Sequence, residues 1–110
     1  MGTNEFEKGK IFSFNQSIDY ADKAVVSKQV LKKETGNISL FAFDKGEALS
    51  EHTAPFDAVV YIVDGKAEII IDGNSNILDA GETIVMPENV PHALKAVEQF
   101  KMVLTMIKSK

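Results

Sequence analysis

Two short stretches, each punctuated by glycine and each carrying one histidine, constrain the fold of this chain more than any other feature. The first spans residues 46–65 and contains His52, and the second spans residues 81–92 and contains His92. They hold the only two histidines of the 110-residue chain. Turn-forming residues at such short intervals, with apolar residues between them, favour short β-strands over helices.

Turn signals divide the middle of the chain into strands. Residues 58–63 are predicted to form a buried strand, and residues 66–71 to form the strand that returns beside it. Asp64–Gly65 between them is predicted to be a two-residue hairpin, because both central residues of such a turn need positive φ. Asp72–Gly73 repeats the same signal and predicts a second hairpin.

The rest of the chain continues this pattern. Residues 38–43 are apolar on both faces, which predicts a central strand, and the apolar residues of 100–107 alternate onto one face. Pro87 and Pro91 bracket a loop, because proline has no amide hydrogen to donate to a sheet. Many short strands and almost no helix predict an all-β sandwich or barrel.

The two histidine stretches resemble the two motifs of a small single-domain cupin. The first motif of that family is glycine, five residues, His-x-His, three or four residues, glutamate, six residues and glycine. The second is glycine, five residues, Pro-x-Gly, two residues, histidine, three residues and asparagine. The matching positions of this chain are Gly46, His52 and Gly65 in the first motif and Gly81, Pro87 and His92 in the second. The resemblance implies a double-stranded β-helix, the jelly-roll barrel of the cupins.

The expected organisation is a short N-terminal arm over residues 1–22 and a single barrel domain over residues 23–110. The arm is expected to cover the barrel or a partner subunit, and its apolar segment Ile11–Phe14 is suited to that. Because small cupins usually pair through sheet edges and N-terminal arms, the resemblance implies a homodimer.

The resemblance also bears on metal binding. Cupins of the metal-binding type hold a first-row ion with both histidines of the first motif, its glutamate and the histidine of the second. In this chain Ala54 stands at the position of the second histidine and Ala58 at that of the glutamate, and Asn89 replaces the glycine of the second motif. Only His52 and His92 carry over as metal ligands, and two imidazoles hold a first-row divalent ion weakly.

Nearby carboxylates are the alternatives for a third ligand. Strand alternation points Asp57 away from the histidines, and a bulge at Pro55 would turn it inward. Asp57 is also a candidate general acid or base beside His52. Glu88, between the two prolines, is expected at the surface.

The same alternation predicts an apolar pocket with two imidazoles as its polar groups, the general pattern of a small-molecule site. The residues expected to line it are His52, Phe56, Val60, Ile62, Ile84, Met86, His92, Leu94 and Met102.

Three functions fit this pattern. The first is a small-molecule binding cupin with weak or no metal dependence. The second is a metal-dependent isomerase, decarboxylase or dioxygenase that uses His52, His92 and an atypical third ligand. The third is a structural module with a vestigial pocket. We rank them in that order, because two ligand positions of the family are occupied by alanine and the expected pocket is apolar. The resemblance does not choose among the reactions of the second function.

The composition of the chain limits which binding partners and which cellular compartment are expected. The net charge of −4, together with basic residues that are all lysine, argues against nucleic-acid binding. No apolar run approaches the ~20 residues of a membrane helix, and no secretory signal precedes the barrel. The absence of cysteine excludes disulfides and suits a reducing compartment. We therefore expect a cytoplasmic protein that binds neither nucleic acid nor membranes.

Overall fold

The computed structural model describes residues 6–108, which form seven antiparallel β-strands. The strands are β1 (Val25–Lys33), β2 (Gly36–Phe43), β3 (Ala48–His52), β4 (Asp57–Ile71), β5 (Asn74–Asp79), β6 (Thr83–Met86) and β7 (His92–Ile107). Over residues 6–108, no helix is long and apolar enough to cross a membrane.

Two long strands, β4 and β7, run through the whole fold and pair with each other along both of their halves. The first half of β4 and the second half of β7 form one face, which β6, β2 and β1 extend. The remaining halves form the other face, which β3 and β5 extend. The two faces enclose the core, which confirms the predicted all-β jelly-roll barrel.

The prediction of a hairpin at Asp64–Gly65 is wrong, because residues 57–71 form the single strand β4. Residues 57–62 pair with the second half of β7, and residues 67–71 pair with its first half. The register shifts at Asp64 and Gly65, where the strand bends from one face of the barrel to the other. Asp72–Gly73 does form the predicted turn between β4 and β5, with φ of 51° and 80°.

The core lies between the two faces and is built from apolar side chains that alternate inward. Phe43 and Phe100 stack at its centre, with ring centroids 4.4 Å apart and planes 14° from parallel. Val60, Ile62 and Met102 are fully buried beside them. This packing closes the barrel around these residues.

The segment before β1 packs on the outer side of β2 and β7. Phe6 and Ile18 are buried there against Leu40, Ala42 and Val103. Between residue 6 and β1 the segment holds only turns and irregular backbone. Its five first residues lie outside the described part of the chain.

A polar network also attaches this segment to the barrel. The buried Lys101 ammonium donates to the Asn15 carbonyl oxygen at 2.6 Å and lies 5.0 Å from the centre of the Tyr20 ring. The Tyr20 hydroxyl donates to Asp64 Oδ2 at 2.5 Å, and burial together with this hydrogen bond raises the Tyr20 pKa. Because Asp64 is at the bend of β4, the network joins the segment to the point where the two faces meet.

Candidate functional site

An apolar cavity of about 180 Å³ opens at the end of the barrel where β3 ends and β7 begins. Of the described side chains that line it, those of His52 and His92 are the polar ones. The full lining is Leu49, His52, Ala54, Phe56, Ala58, Met86, His92, Leu94, Met102, Leu104 and Met106. The cavity is therefore a hydrophobic compartment with one pair of imidazoles.

Strand pairing brings the two histidines together. His52 is the last residue of β3, His92 is the first residue of β7, and the two are directly opposite each other in the ladder. Their rings meet edge to face, with centroids 4.4 Å apart and planes at 69°. His92 is buried, whereas His52 is exposed at the mouth of the cavity.

Each histidine makes the same local hydrogen bond. His52 Nδ1 lies 2.8 Å from the Ser50 carbonyl oxygen, and His92 Nδ1 lies 3.1 Å from the Val90 carbonyl oxygen. Because a carbonyl oxygen only accepts, both Nδ1 atoms carry the proton, and in the neutral rings Nε2 keeps its lone pair. The tautomers are thus assigned from the hydrogen-bond partners, and each side chain offers a free Nε2 as an acceptor or ligand.

Burial lowers the pKa of His92 below its ordinary value. The hydrogen bond to Val90 acts in the opposite direction, and the neighbouring His52 ring lowers the pKa further. His92 is consequently neutral at physiological pH, which keeps its Nε2 lone pair available.

The loops at the mouth are tied together by backbone hydrogen bonds. The amide of Asn89 donates to the Ala54 carbonyl oxygen at 2.7 Å, which joins the loop after β6 to the loop after β3. Asn89 has φ of 60°, a conformation that asparagine adopts more readily than most residues. This explains why asparagine can stand where the cupin motif has glycine.

The two motif positions that lost their ligands both face the cavity. The alanine methyl groups of Ala54 and Ala58 line it together with the histidines. The four positions that hold the metal in the metal-binding cupins thus converge here, with two imidazoles and two methyl groups in place of four ligands.

Six of the nine residues predicted for the pocket line the cavity, and three do not. Val60 and Ile62 are completely enclosed in the core, and Ile84 packs against that core. The alternation identified the correct face of β4 but not the depth at which packing closes the barrel. Whether the cavity residues bind a ligand stays a prediction.

Five residues were missing from the predicted lining. Leu104 and Met106 share a face of β7 with Met102, and Ala58 follows Phe56 at the strand period of two, so alternation alone could have added them. Ala54 precedes Phe56 at the same period and shared that signal, whereas Leu49 in β3 gave none. Leu49 lines the cavity because β3 pairs with β7 there.

The structure does not bring Asp57 to the histidines. Asp57 is exposed, and its Oδ1 accepts a hydrogen bond from the Glu88 amide at 2.9 Å. Within residues 6–108, no three histidine, cysteine, aspartate or glutamate side chains cluster closely enough to hold a metal ion. The residues present therefore do not fit the four-ligand metal site of the cupins.

Comparison with known proteins agrees with this architecture. A family model described as Cupin domain matches residues 39–108. A conserved protein of unknown function from Streptococcus pyogenes is 36% identical, with a TM-score of 0.92 over 97% of this chain and 94% of that chain. A cupin 2 conserved barrel domain protein from Leptotrichia buccalis is 37% identical, with a TM-score of 0.86 over 88% of this chain and 47% of that one.

A curated relative is also similar. The polyketide synthase CurC of Streptomyces cyaneus is 32% identical over 72 residues, which are 63% of this chain. The match spans 47% of the length of that relative.

Proposed function

The chain belongs to the cupin domain family, and on that premise we propose that it binds a small organic molecule in the cavity beside His52 and His92. The observation that supports the proposal is the cavity itself, an apolar space with two adjacent imidazoles at its mouth. Apolar walls with a few convergent polar groups are the usual composition of a small-molecule site.

The cavity size limits the ligand. Its volume of about 180 Å³ is slightly larger than the ~150 Å³ engineered cavity that accommodates benzene. A one-ring molecule or a short branched chain fits this space, and a larger ligand would extend past the exposed His52. The imidazoles would then orient a single polar group of the ligand.

The name of one relative is consistent with such a ligand. CurC bears the name polyketide synthase, and polyketides are carbon chains with ketone oxygens. An apolar molecule with one or two oxygen atoms matches the lining of this cavity. We therefore include an aromatic ketone among the test ligands.

The alternative is a metal-dependent cupin enzyme of the isomerase, decarboxylase or dioxygenase type. It is less well supported, because alanine occupies both missing ligand positions and Asp57 binds the Glu88 amide instead. A near-stoichiometric first-row divalent metal in untagged protein purified without chelator, lost in both His52→Ala and His92→Ala, would favour this alternative.

The binding proposal is tested with defined probes. Titration of metal-free protein with phenol, acetophenone and toluene, followed by NMR, is expected to shift the signals of cavity residues such as Leu94 and Met102. A Kd of about 1 mM or tighter is expected for phenol, since its seven non-hydrogen atoms need contribute only about −0.6 kcal/mol each.

A matched pair of variants controls this experiment. Ala54→Phe places a ring in the cavity mouth and should abolish the shifts, whereas Ala48→Phe puts the same ring on an exposed position of β3. If no probe binds, or if both variants bind as the unaltered protein does, the cavity is not a small-molecule site.

We also propose that the protein forms a homodimer through its N-terminal segment. Ile11 is completely exposed, at 103% of its reference area, and Phe12 beside it is 40% exposed. Tyr61 and Val85 are exposed on the outer side of the barrel face against which this segment packs. Ile11 and Phe12 are adjacent in the chain, and exposed apolar patches mark interaction surfaces.

Analytical ultracentrifugation at micromolar concentration tests this proposal. A dimer is expected, and Ile11→Glu should weaken its association about tenfold or more, because a charge would be buried without a partner. Ile77→Glu, at an exposed position on β5 of the opposite face, should leave association unchanged. A monomer throughout the concentration range would overturn the assignment.

A further inference from the structure

Sulfur is the donor element that the cavity offers besides imidazole nitrogen. Three of the four methionines of the chain, Met86, Met102 and Met106, line the cavity with His52 and His92. Of the described side chains in this lining, none bears a carboxylate, amide or hydroxyl oxygen. The donor set of the cavity is therefore two nitrogen atoms and three thioether sulfurs.

The strand register places two of these methionines on either side of one alanine. Ala58 of β4 lies directly opposite Met86 of β6 on one side and directly opposite Met106 of β7 on the other. Directly opposed residues of an antiparallel pair point to the same face with their Cβ atoms about 5 Å apart. Two methionine residues that line the cavity thus flank the position where the cupin motif has its glutamate ligand.

The imidazoles are already arranged as ligands. Each donates its Nδ1 proton to a backbone carbonyl oxygen, the same outer contact that fixes the ring orientation of histidines in metal sites. Both Nε2 atoms are left free, and the exposed His52 supplies a path by which an ion can enter. The methionines and the two oriented imidazoles thus belong to one cavity lining.

We propose that His52 and His92, together with Met86 and Met106, form a binding site for a soft monovalent cation, Cu(I). Thioether ligands select Cu(I), and imidazole binds copper well, whereas ions such as Mn²⁺ and Mg²⁺ need the oxygen ligands that this lining lacks. The substitution of alanine for glutamate thus changes the ligand preference of the site from oxygen to sulfur. The proposal uses the same cavity as small-molecule binding but does not depend on it.

The test is an anaerobic titration of the purified protein with Cu(I), supplied as its acetonitrile complex in competition with the chromophore bathocuproine disulfonate. One Cu(I) per chain is expected. The double variant Met86→Leu/Met106→Leu should bind Cu(I) about 100-fold more weakly. Removing a residue that only hydrogen-bonds to a metal ligand already costs about 10–100-fold in affinity, and here two ligands themselves are removed. Leucine keeps nearly the same volume, so folding is expected to be retained.

Matched controls separate a sulfur site from binding by histidine alone. Met102→Leu changes the third methionine of the cavity, which lies opposite Ile62 instead of Ala58, and it should weaken Cu(I) binding less than the double leucine variant does. Zn²⁺, which two imidazoles bind weakly, should bind equally to the unaltered protein and to the double leucine variant. Ag(I) in place of Cu(I), with the methionine methyl groups observed by NMR, should shift Met86 and Met106 and provides a readout without redox chemistry.

Three results would overturn the proposal: no Cu(I) uptake against the chromophore, equal Cu(I) affinity in the double leucine variant, or loss of affinity in Met102→Leu as large as in that variant. None of these concerns the organic probes, which are titrated into metal-free protein. Failure of the copper proposal and failure of the small-molecule proposal are therefore distinguishable.

Discussion

Gly65→Ala is expected to destabilise the protein by at least about 4 kcal/mol, among the largest effects that a single substitution causes. A Cβ atom at this position would lie 1.8 Å from the Gln99 carbonyl oxygen and 2.7 Å from Phe100 Cα. Both atoms belong to the backbone of β7, so neither can move away without separating the two long strands. The φ of +85° adds the cost of a left-handed conformation.

Urea denaturation followed by circular dichroism measures this effect, and Gly73→Ala is its control. Gly73 has nearly the same φ of +80° but no atom within 4 Å of the added carbon. The control should therefore lose only about 1–2 kcal/mol of stability, the cost of a left-handed backbone conformation for a residue other than glycine. Equal denaturation midpoints for the two variants would show that β4 and β7 do not approach as closely as the structure places them.

Ala58→Glu is expected to convert the cavity into a site for divalent ions and to raise the Zn²⁺ affinity by about 100-fold or more. The new carboxylate would join His52 and His92, and two imidazoles with one carboxylate are a recurring set of three protein ligands for zinc. The cavity of about 180 Å³ has room for the longer side chain. Without metal, the buried carboxylate should lower stability by about 1–3 kcal/mol, and Zn²⁺ should restore it.

Competition with a chromophoric chelator gives the Zn²⁺ affinity, and Ala58→Gln is the matched control. Glutamine has nearly the same size and shape but no charge, so it should add little affinity. A gain of the same size in both variants would mean that side-chain volume is responsible. No gain in Ala58→Glu would show that position 58 does not face the two imidazoles.

Local signals predicted those parts of the fold that depend on one or two residues. Pro87 and Pro91 do bracket a loop, because proline lacks the amide hydrogen that a sheet needs wherever it occurs. Asp72–Gly73 forms its turn because its φ preference agrees with the pairing of β4 and β5. Asp64–Gly65 has the same preference for positive φ but lies at a bend within β4. The segments on either side of it pair with β7 instead of with each other.

The cavity shows where alternation along a strand stops being informative. It distinguishes Phe56 and Ala58, which face inward, from Asp57, which does not, because successive strand side chains point to opposite faces. It does not distinguish Ala58 from Val60, which points the same way but is sealed in the core. How far the cavity extends along the barrel axis depends on the side chains that the other strands contribute to the core.

The amino-acid sequence by itself determined an all-β sandwich or barrel and the stretches that contribute one histidine each, because glycine, proline and strand alternation act locally. The resemblance of those stretches to the cupin motifs implied the jelly roll. Only the tertiary structure decided that Met86 and Met106 flank Ala58 and that both Nδ1 atoms bond to carbonyl oxygens. The physical reason is that register between strands far apart in the chain is set by the packing of the whole barrel. A shift of one residue would turn either methionine out of the cavity.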